Sequence, residues 1–286
     1  MKVLITGGAG FVGSNLIKKL IYIYDDIFII SIDNYSTGSI DNHVINKNIH
    51  YINANTWDIF NIKEILEFKP DYVFHFGEYS RIHKSFDEPN KVFQSNFFGT
   101  QQILDYTILK KSKLIYSGSS AIFGENNENL SPYAFTKSKN IELIKNYKTW
   151  YNLNFSICYF YNVYGPGQIN NGDYATVIGI FEEQFKKNIP LTVVKPGTQT
   201  RIFTHINDII DGILLAAIKG NGDGYTLAAK ESFSILDIVK LFNTNFIFID
   251  NRKGERHNSI IPFDKMKTEF DWKPKIKLKN YIENLY

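Results

Sequence analysis

The chain has a single cysteine, Cys158, among its 286 residues, which excludes an internal disulfide and any thiolate metal cluster. No apolar run reaches the roughly eighteen residues a membrane-spanning helix needs. The first residues also lack the long apolar stretch and small-residue cleavage site of a secretory signal. A cytoplasmic location, away from membranes, is the expectation that follows. Charge of one sign is missing too: 32 Lys and Arg against 29 Asp and Glu leave a net charge of +3, and the lysines are scattered between acids, so no nucleic-acid partner is implied. His43, His50, His75, His83, His205 and His257 show no spacing such as H-x-x-x-H, and no metal is expected. Internal repeats and low-complexity tracts are absent, the Asn-rich stretch Asn126–Asn129 being too mild to imply disorder. What remains is an ordinary globular composition, 44% hydrophobic and 21% charged, at a length suited to one large domain or one and a half.

The chain is organised around KVLITGGAGFVG, Lys2–Gly13. Val3, Leu4 and Ile5 read as a strand buried on both faces, and Gly7, Gly10 and Gly13 fall where that strand must turn into a helix. Gly7 allows the tight turn, Gly10 lets backbone N–H groups approach a pyrophosphate, and Gly13 lets the helix pack close to the strand. The helix N-terminus adds about half a positive charge and unpaired donors for the anion. The next apolar run, Ile27–Ile32, ends in Asp33, 20 residues beyond Gly13, where a carboxylate can accept from the adenosine ribose and favours NAD over NADP. The competing reading of Asp33 and Asn34 is a surface turn leading into Ser36–Gly38.

Apolar runs alternate with helical stretches through the first half, the signature of a parallel sheet covered by helices. The pattern predicts strands at Lys2–Thr6, Ile27–Ile32, His50–Ile52, Tyr72–His75, Lys113–Ser117 and Phe155–Tyr161. It predicts helices at Phe11–Tyr22, Ile62–Phe68, Pro89–Lys110 and Tyr133–Tyr151. Right-handed crossovers give the order 3-2-1-4-5-6, with a ligand crevice at the carboxyl ends of the strands. Asp58-Ile59 either receives adenine, by carboxylate and aliphatic cover, or caps the following helix. Gly77 lets a dinucleotide lie flat, and Glu78, Tyr79, Ser80, Arg81 and His83 read as a polar loop at the crevice mouth, of which Arg81 and His83 either contact ligand or are simply solvated.

Tyr-x-x-x-Lys places phenol and ammonium on one helix face, where the cation lowers the phenol pKa from about 10 toward that of a working base. The spacing occurs twice, at Tyr106/Lys110 and Tyr133/Lys137. Only the second follows a strand end bearing hydroxyls, Ser117, Ser119 and Ser120, so Tyr133 is the candidate base; Tyr106 and Lys110 are assigned to helix surface and packing.

TGGAGFVGS, the Asp-Asn pair, SGSSAIFG, YAFTK and YNVYGPGQ together resemble the extended short-chain dehydrogenase/reductase family that acts on nucleotide sugars, the UDP-glucose 4-epimerases being a well-known branch. The resemblance covers nearly the whole chain. It implies an α/β fold: a doubly wound parallel (Rossmann) sheet with a smaller C-terminal α/β substrate lobe. Residues 1–165, with a return segment at about 203–219, would bind NAD, and 166–202 and 220–286 would bind the nucleotide sugar. By that likeness the NAD contacts are Gly7, Gly10, Phe11, Val12, Gly13, Asp33, Asn34, Ser36, Asp58, Ile59, Phe76, Gly77, Ser80, Asn96, Ser117, Tyr133, Lys137 and Phe160. Ser119, Tyr133 and Lys137 would be catalytic. The substrate contacts would be Arg81, Ser119, Ser120, Asn162, Val177, Arg201, Arg252 and Glu255, with Arg201 and Arg252 clamping the diphosphate and Glu255 accepting from the nucleotide ribose. Taken singly, each arginine has the alternative of a surface residue, and Asn162 that of turn chemistry.

Departures from the family pattern narrow the reaction. Related 4,6-dehydratases carry an Asp-Glu pair, and decarboxylases keep the Glu, where this chain has Ser120-Ala121; elimination lacks its carboxyl groups. The connection Glu125–Pro132 is short, leaving room beside Tyr133 for a larger hexose or heptose. Ser80 stands where 4-epimerases often carry Lys. The expected reaction is oxidation and reduction at C4 of a UDP-, GDP- or dTDP-linked sugar, as a 4-epimerase in surface-glycan synthesis. The alternative is a 4-dehydrogenase releasing the keto sugar: GEYSR and FYNVYGPGQ are similar to segments of capsular heptose dehydrogenases, which makes GDP-heptose a candidate substrate. A rival of another class is a non-catalytic NAD-binding regulator, against which Ser119, Tyr133 and Lys137 argue. A homodimer is expected from Phe97, Phe98, Ile103, Leu104, Ile141, Ile144, Tyr147 and Trp150, on helices the family pairs in a four-helix bundle.

Overall fold

Val3, Leu4 and Ile5 have no accessible surface, as befits a strand in the middle of a helix-covered parallel sheet. The computed structural model describes residues 1–123, 131–251, 253–254 and 258–285. In it this strand, β1 (Lys2–Thr6), is followed by α1 (Phe11–Ile23), β2 (Phe28–Asp33), β3 (Ile49–Asn53), α2 (Lys63–Glu67), β4 (Tyr72–His75), α3 (Pro89–Val92), α4 (Gly99–Lys110), β5 (Lys113–Ser119), α5 (Pro132–Tyr151) and β6 (Asn154–Phe160). Then come β7 (Val163–Tyr164), α6 (Val177–Lys186), β8 (Leu191–Val194), β9 (Thr200–Ile202), β10 (Thr204–His205), α7 (Ile206–Lys219), β11 (Gly222–Leu227), β12 (Ser232–Ser234), α8 (Ile235–Phe242), β13 (Phe246–Ile249), α9 (Lys265–Phe270) and α10 (Leu278–Glu283). Among the described residues no helix is long and apolar enough to cross a membrane.

The main sheet is parallel and runs β11-β6-β5-β4-β1-β2-β3. Alternation along the strands sends Leu4, Ile30, Val73, Leu114 and Tyr116 to one face, under α4 and α5, and Val3, Ile5, Ile29, Phe74, Ile115 and Cys158 to the other, under α1 and α7. Burial pushes the Cys158 thiol up to about 12, so it serves as a small apolar side chain. A third core, of Tyr164, Phe181, Leu191, Val193, Phe242 and Ile282 among others, belongs to the smaller lobe. There β8 pairs with β13 and β9 with β12.

The predicted order 3-2-1-4-5-6 is observed, with a seventh strand added. β11 lies in the segment the sequence reading gave to the substrate lobe, yet Tyr225, Thr226 and Leu227 pair with Cys158, Tyr159 and Phe160 of β6. Its glycines, Gly222 and Gly224, have φ of 94° and 101°, so the strand lacks the apolar run that would announce it. α9 also returns to the main domain: Met266 is buried beside Ile209, Tyr225 and Leu227. The boundary at 220 is corrected accordingly; the chain crosses between lobes repeatedly, and α10 goes back to the smaller core.

The helix predicted at Pro89–Lys110 is not uniform. Phe93–Phe98 is π-helical between α3 and α4, a local widening that occurs mostly at functional sites, and here it carries Asn96 inward. The face expected to pair two subunits is also smaller than read. Ile103, Leu104 and Ile144 are wholly buried, Ile141 and Tyr147 nearly so, all against the sheet, whereas Phe97, Phe98 and Trp150 are exposed, with Phe93 and Phe135 beside them. Tyr106 is likewise interior, its hydroxyl donating to the carbonyls of Ile65 and Phe68 at 3.1 Å.

If α9 is part of the main core, Met266→Ala removes a fully enclosed side chain and costs about 2–5 kcal/mol of stability. A lowered urea midpoint, read by circular dichroism, is the expected result.

Candidate active site

The glycine turn closes as its spacing predicts. Gly7 sits at φ +73°, and an added Cβ would lie 2.8 Å from the backbone of Phe76 and Gly77. At Gly13 an added Cβ would lie 2.2 Å from the Gly7 carbonyl oxygen and 2.7 Å from Gly8 Cα. α1 can therefore approach β1 only without a side chain there. Gly10 caps α1, whose first turn holds no acidic side chain and whose first residues line the crevice, so the positive end of the helix is presented there.

That crevice is a cavity of about 490 Å³ lying across the carboxyl ends of the strands and the mouth of the smaller lobe. Gly7, Gly10, Phe11, Val12 and Gly13 line it, with Asp33, Asn34 and Ser36 from the end of β2. The Asp33 carboxylate accepts from the backbone N–H of Ala9 at 2.9 Å and of Tyr35 at 2.8 Å, fastening the glycine turn to the next strand. Desolvation raises its pKa above the usual carboxylate value, an effect those backbone donors partly offset. Asn34 donates to Asn55, and Asn55 to Asp58.

One predicted adenine contact needs correction: the Ile59 side chain is wholly buried in the core. Asp58 accepts from Asn55, which lines the cavity with Thr56 and Trp57. Asn96 is corrected too. It is buried behind the cavity, accepting from Tyr79 N and donating to Tyr79 O and Thr136 Oγ1, so it braces the segment after β4 rather than touching a ligand.

At the other end of the glycine turn, Phe76 and Phe160 pack edge to face at 6.0 Å, and both line the cavity together with Gly77, Ser80, Ser117, Ser119 and Ser120. Ser119 Oγ accepts from Ala121 N at 3.2 Å. α5 begins with Ser131, whose hydroxyl accepts from Ala134 N at 3.0 Å, and with Pro132 at its first position. This cap sets the first turn of the helix so that Tyr133 faces the cavity, packed against Ala121, Ala134 and Ile82. Lys137, one turn on, faces it as well and donates to the Ser117 carbonyl at 2.6 Å.

Sequence reasoning missed the partner of Lys137. Glu78, read only as part of the polar loop, forms an ion pair with Lys137, the two side chains being 2% and 5% exposed. Glu78 Oε1 accepts from Thr100 Oγ1 at 3.1 Å, Tyr116 Oη at 2.9 Å and Asn140 Nδ2 at 2.9 Å. Burial drives the His75 pKa down to about 4, so His75 is neutral and links Thr6 to Thr100 at 2.7 and 2.9 Å.

The smaller lobe contributes Val177, Gln199, Arg201 and Lys253 to the same cavity, beside Asn162 at the crossing between lobes. Arg201 donates to the Thr200 carbonyl at 2.8 Å, Asn162 to the Ile202 carbonyl at 2.9 Å, and Arg81 to the Tyr174 carbonyl. Arg252 and Glu255 lie outside the described residues, as does most of the Glu125–Pro132 connection. Lys253, Gln199 and Tyr174 carried no spacing signal that could have found them.

Residues 3–228 match the NAD dependent epimerase/dehydratase family. The chain belongs to that family. A putative UDP-glucose 4-epimerase of Methanocaldococcus jannaschii is 32% identical over 99% of this chain and 96% of its own length. UDP-glucuronic acid decarboxylase 2 of Arabidopsis thaliana is 27% identical over 98% of this chain and 66% of its own. Among solved structures, UDP-glucose 4-epimerase of Thermotoga maritima, with UDP-glucose, superposes with a TM-score of 0.92 at 26% identity, covering 99% of this chain and 96% of that one. The chain is thus a member of an NAD-dependent enzyme family of the extended short-chain dehydrogenase/reductase type, and its cofactor is NAD. The residues present fit the cofactor: the turn that lines the cavity at Gly7, Gly10 and Gly13 closes only because Gly7 and Gly13 carry no Cβ, and Asp33 stands at the end of β2.

Gly13→Ala forces α1 away from the turn and should weaken NADH binding at least tenfold, which titration of NADH fluorescence measures directly.

Proposed function

We propose that the protein oxidises and re-reduces C4 of a nucleotide-diphosphate sugar, as a nucleotide-sugar 4-epimerase of surface-glycan biosynthesis. The observation that carries this reading is the identity of the carboxylates that line the cavity. Among the described residues these are Asp33, bound to the glycine turn, and Glu78, bound to Lys137. Neither is available as an acid or base for elimination, and beside Tyr133 stand Ser120 and Ala121. Chemistry confined to one carbinol fits such a site.

Tyr133 Oη takes the proton of the sugar hydroxyl as base and returns it as acid. Ser119 Oγ holds the same oxygen. Bound NAD supplies the hydride acceptor and donor at that carbon. Lys137, held by Ser117 and Glu78, sets the charge beside the phenol. Arg201 and Lys253, which line the cavity, would neutralise the diphosphate, and the keto sugar would turn about that anchor and present its other face. Ser80, in place of the lysine frequent in 4-epimerases, supports a second reading, a 4-dehydrogenase that releases the keto sugar, with GDP-heptose a candidate substrate.

The experiment is incubation with UDP-, GDP- and dTDP-linked sugars followed by NMR. Inversion at C4 with no added oxidant is the expected result; a 4-ketone, or turnover only with an added keto acid, selects the dehydrogenase. Tyr133→Phe should lower kcat about 10²- to 10⁴-fold, and an unchanged rate would remove Tyr133 from the mechanism.

The exposed Phe93, Phe97, Phe98, Phe135 and Trp150 on α3 to α5 support a homodimer through these helices. Light scattering at micromolar concentration should give twice the chain mass, and Phe97→Glu half of that.

A further inference from the structure

Between β7 and α6 the chain makes a loop whose ends are bonded together. The backbone N–H of Thr176 donates to the Ile169 carbonyl at 3.0 Å. The Thr176 hydroxyl accepts from Gly179 N at 3.1 Å, capping α6, and donates to Gln168 at 2.9 Å. Gln168 donates to Glu182 and Asn170 to Glu183, both on α6, at 2.8 and 3.2 Å. Residues 170–175 thus leave and return at one base fixed to the smaller lobe, the form of a short Ω-loop. The tip docks across the crevice, on the segment after β4. Arg81 donates to the Tyr174 carbonyl, Lys84 pairs with Asp173 at 2.7 Å, and the rings of Tyr79 and Tyr174 meet edge to face at 5.9 Å. The receiving segment is itself braced, since Asn96 holds both the N–H and the carbonyl of Tyr79, and Glu88 its hydroxyl. On the opposite bank the Pro166 carbonyl accepts from Asn15 of α1 at 3.3 Å. The run from Pro166 to Tyr174 therefore bridges the crevice, from the helix at the glycine turn to the segment after β4, and Ile169, Tyr174, Ala175 and Thr176 line the cavity.

We propose that residues 170–175 are a flap that lifts to admit and release the coenzyme and closes over it, latched by Lys84 on Asp173 and by Arg81 on Tyr174. The two ends of the loop are held unequally. Its base is tied into α6 by the hydrogen bonds at Gln168 and Thr176, whereas its tip rests on two polar contacts and one pair of rings. Residues 170–173 are exposed, and Ala175 is the one side chain of the flap that is buried. A segment with so little apolar burial opens at low cost in free energy, and closing loops of this kind set the release rate in many enzymes. The Lys84 and Asp173 side chains are 30% and 64% exposed, so water takes over both charges when the tip lifts and the latch is a weak one. At Gly172, with φ +75°, an added Cβ would meet nothing within 4 Å, so the bend of the flap is free of neighbours that would hold it down. Coenzyme reduced in the cavity stays there for as long as the tip is docked.

The test follows NADH fluorescence in stopped flow, the coenzyme being mixed with the protein and then displaced by excess NAD. A gate governs entry and exit alike, whereas a lost contact with the coenzyme changes exit alone. Asp173→Asn and Lys84→Met should therefore each raise both the association and the dissociation rate, by about 2- to 5-fold for the loss of an exposed ion pair. The double variant Lys84→Cys/Asp173→Cys, bridged by a bifunctional methanethiosulfonate, should keep the tip docked and slow both rates at least tenfold, and dithiothreitol should restore them. Cys158 is buried and stays out of reach of the reagent. A bridged protein that exchanges NADH as fast as the unbridged one, or single variants whose association rate stays at the wild-type value, would overturn the proposal.

Discussion

A carboxylate and an ammonium meet where almost no water reaches them, at Glu78 and Lys137. Two buried charges are tolerated only when paired and when their remaining hydrogen-bond capacity is filled, and removal of one partner alone typically costs about 3–5 kcal/mol. Here the filling comes from distant parts of the chain. Thr100 belongs to α4, Tyr116 to β5 and Asn140 to α5, while Thr100 is joined through His75 to Thr6 on β1. Each of these elements must sit in one register for the pair to be satisfied, and the same register puts Tyr133 and Ser119 at the cavity wall. Stability and site geometry are therefore one constraint.

The second constraint is the absence of side chains at the glycine turn. β1 is sealed by apolar neighbours on both faces, so its end cannot shift to make room, and α1 reaches it only because Gly7 and Gly13 carry no Cβ. Asp33 then couples this turn to the next strand through the Ala9 and Tyr35 amides. At the far side the chain passes between lobes several times, and Arg201 reaches the cavity next to Ile202 and Phe203, which are buried in different cores. A hinge with one crossing would leave the two halves freer.

Local signals were legible in the sequence where the physics is local. The turn at Gly7–Gly13, the acid ending β2, and a phenol and ammonium one helical turn apart each involve neighbours in the chain. Glu78 was misread as a mouth residue because its partners stand 22, 38, 59 and 62 residues away, and nothing beside it distinguishes a buried carboxylate from a solvated one. β11 escaped for a related reason: its glycines replace the apolar alternation, and only pairing with β6 makes it a strand. Ile59 shows the converse error: its motif position was recognised, but that its side chain meets the core was decided by packing the spacing does not encode.

A reversible redox step at one carbon needs a group that gives back the proton it takes. The structure serves that need by position: Lys137, one turn after Tyr133 on α5, is tied by Glu78 to the segment after β4, with the neighbouring His75 and Tyr116 both uncharged, so the face of α5 that carries Tyr133 is fixed against the cavity whichever reaction runs there.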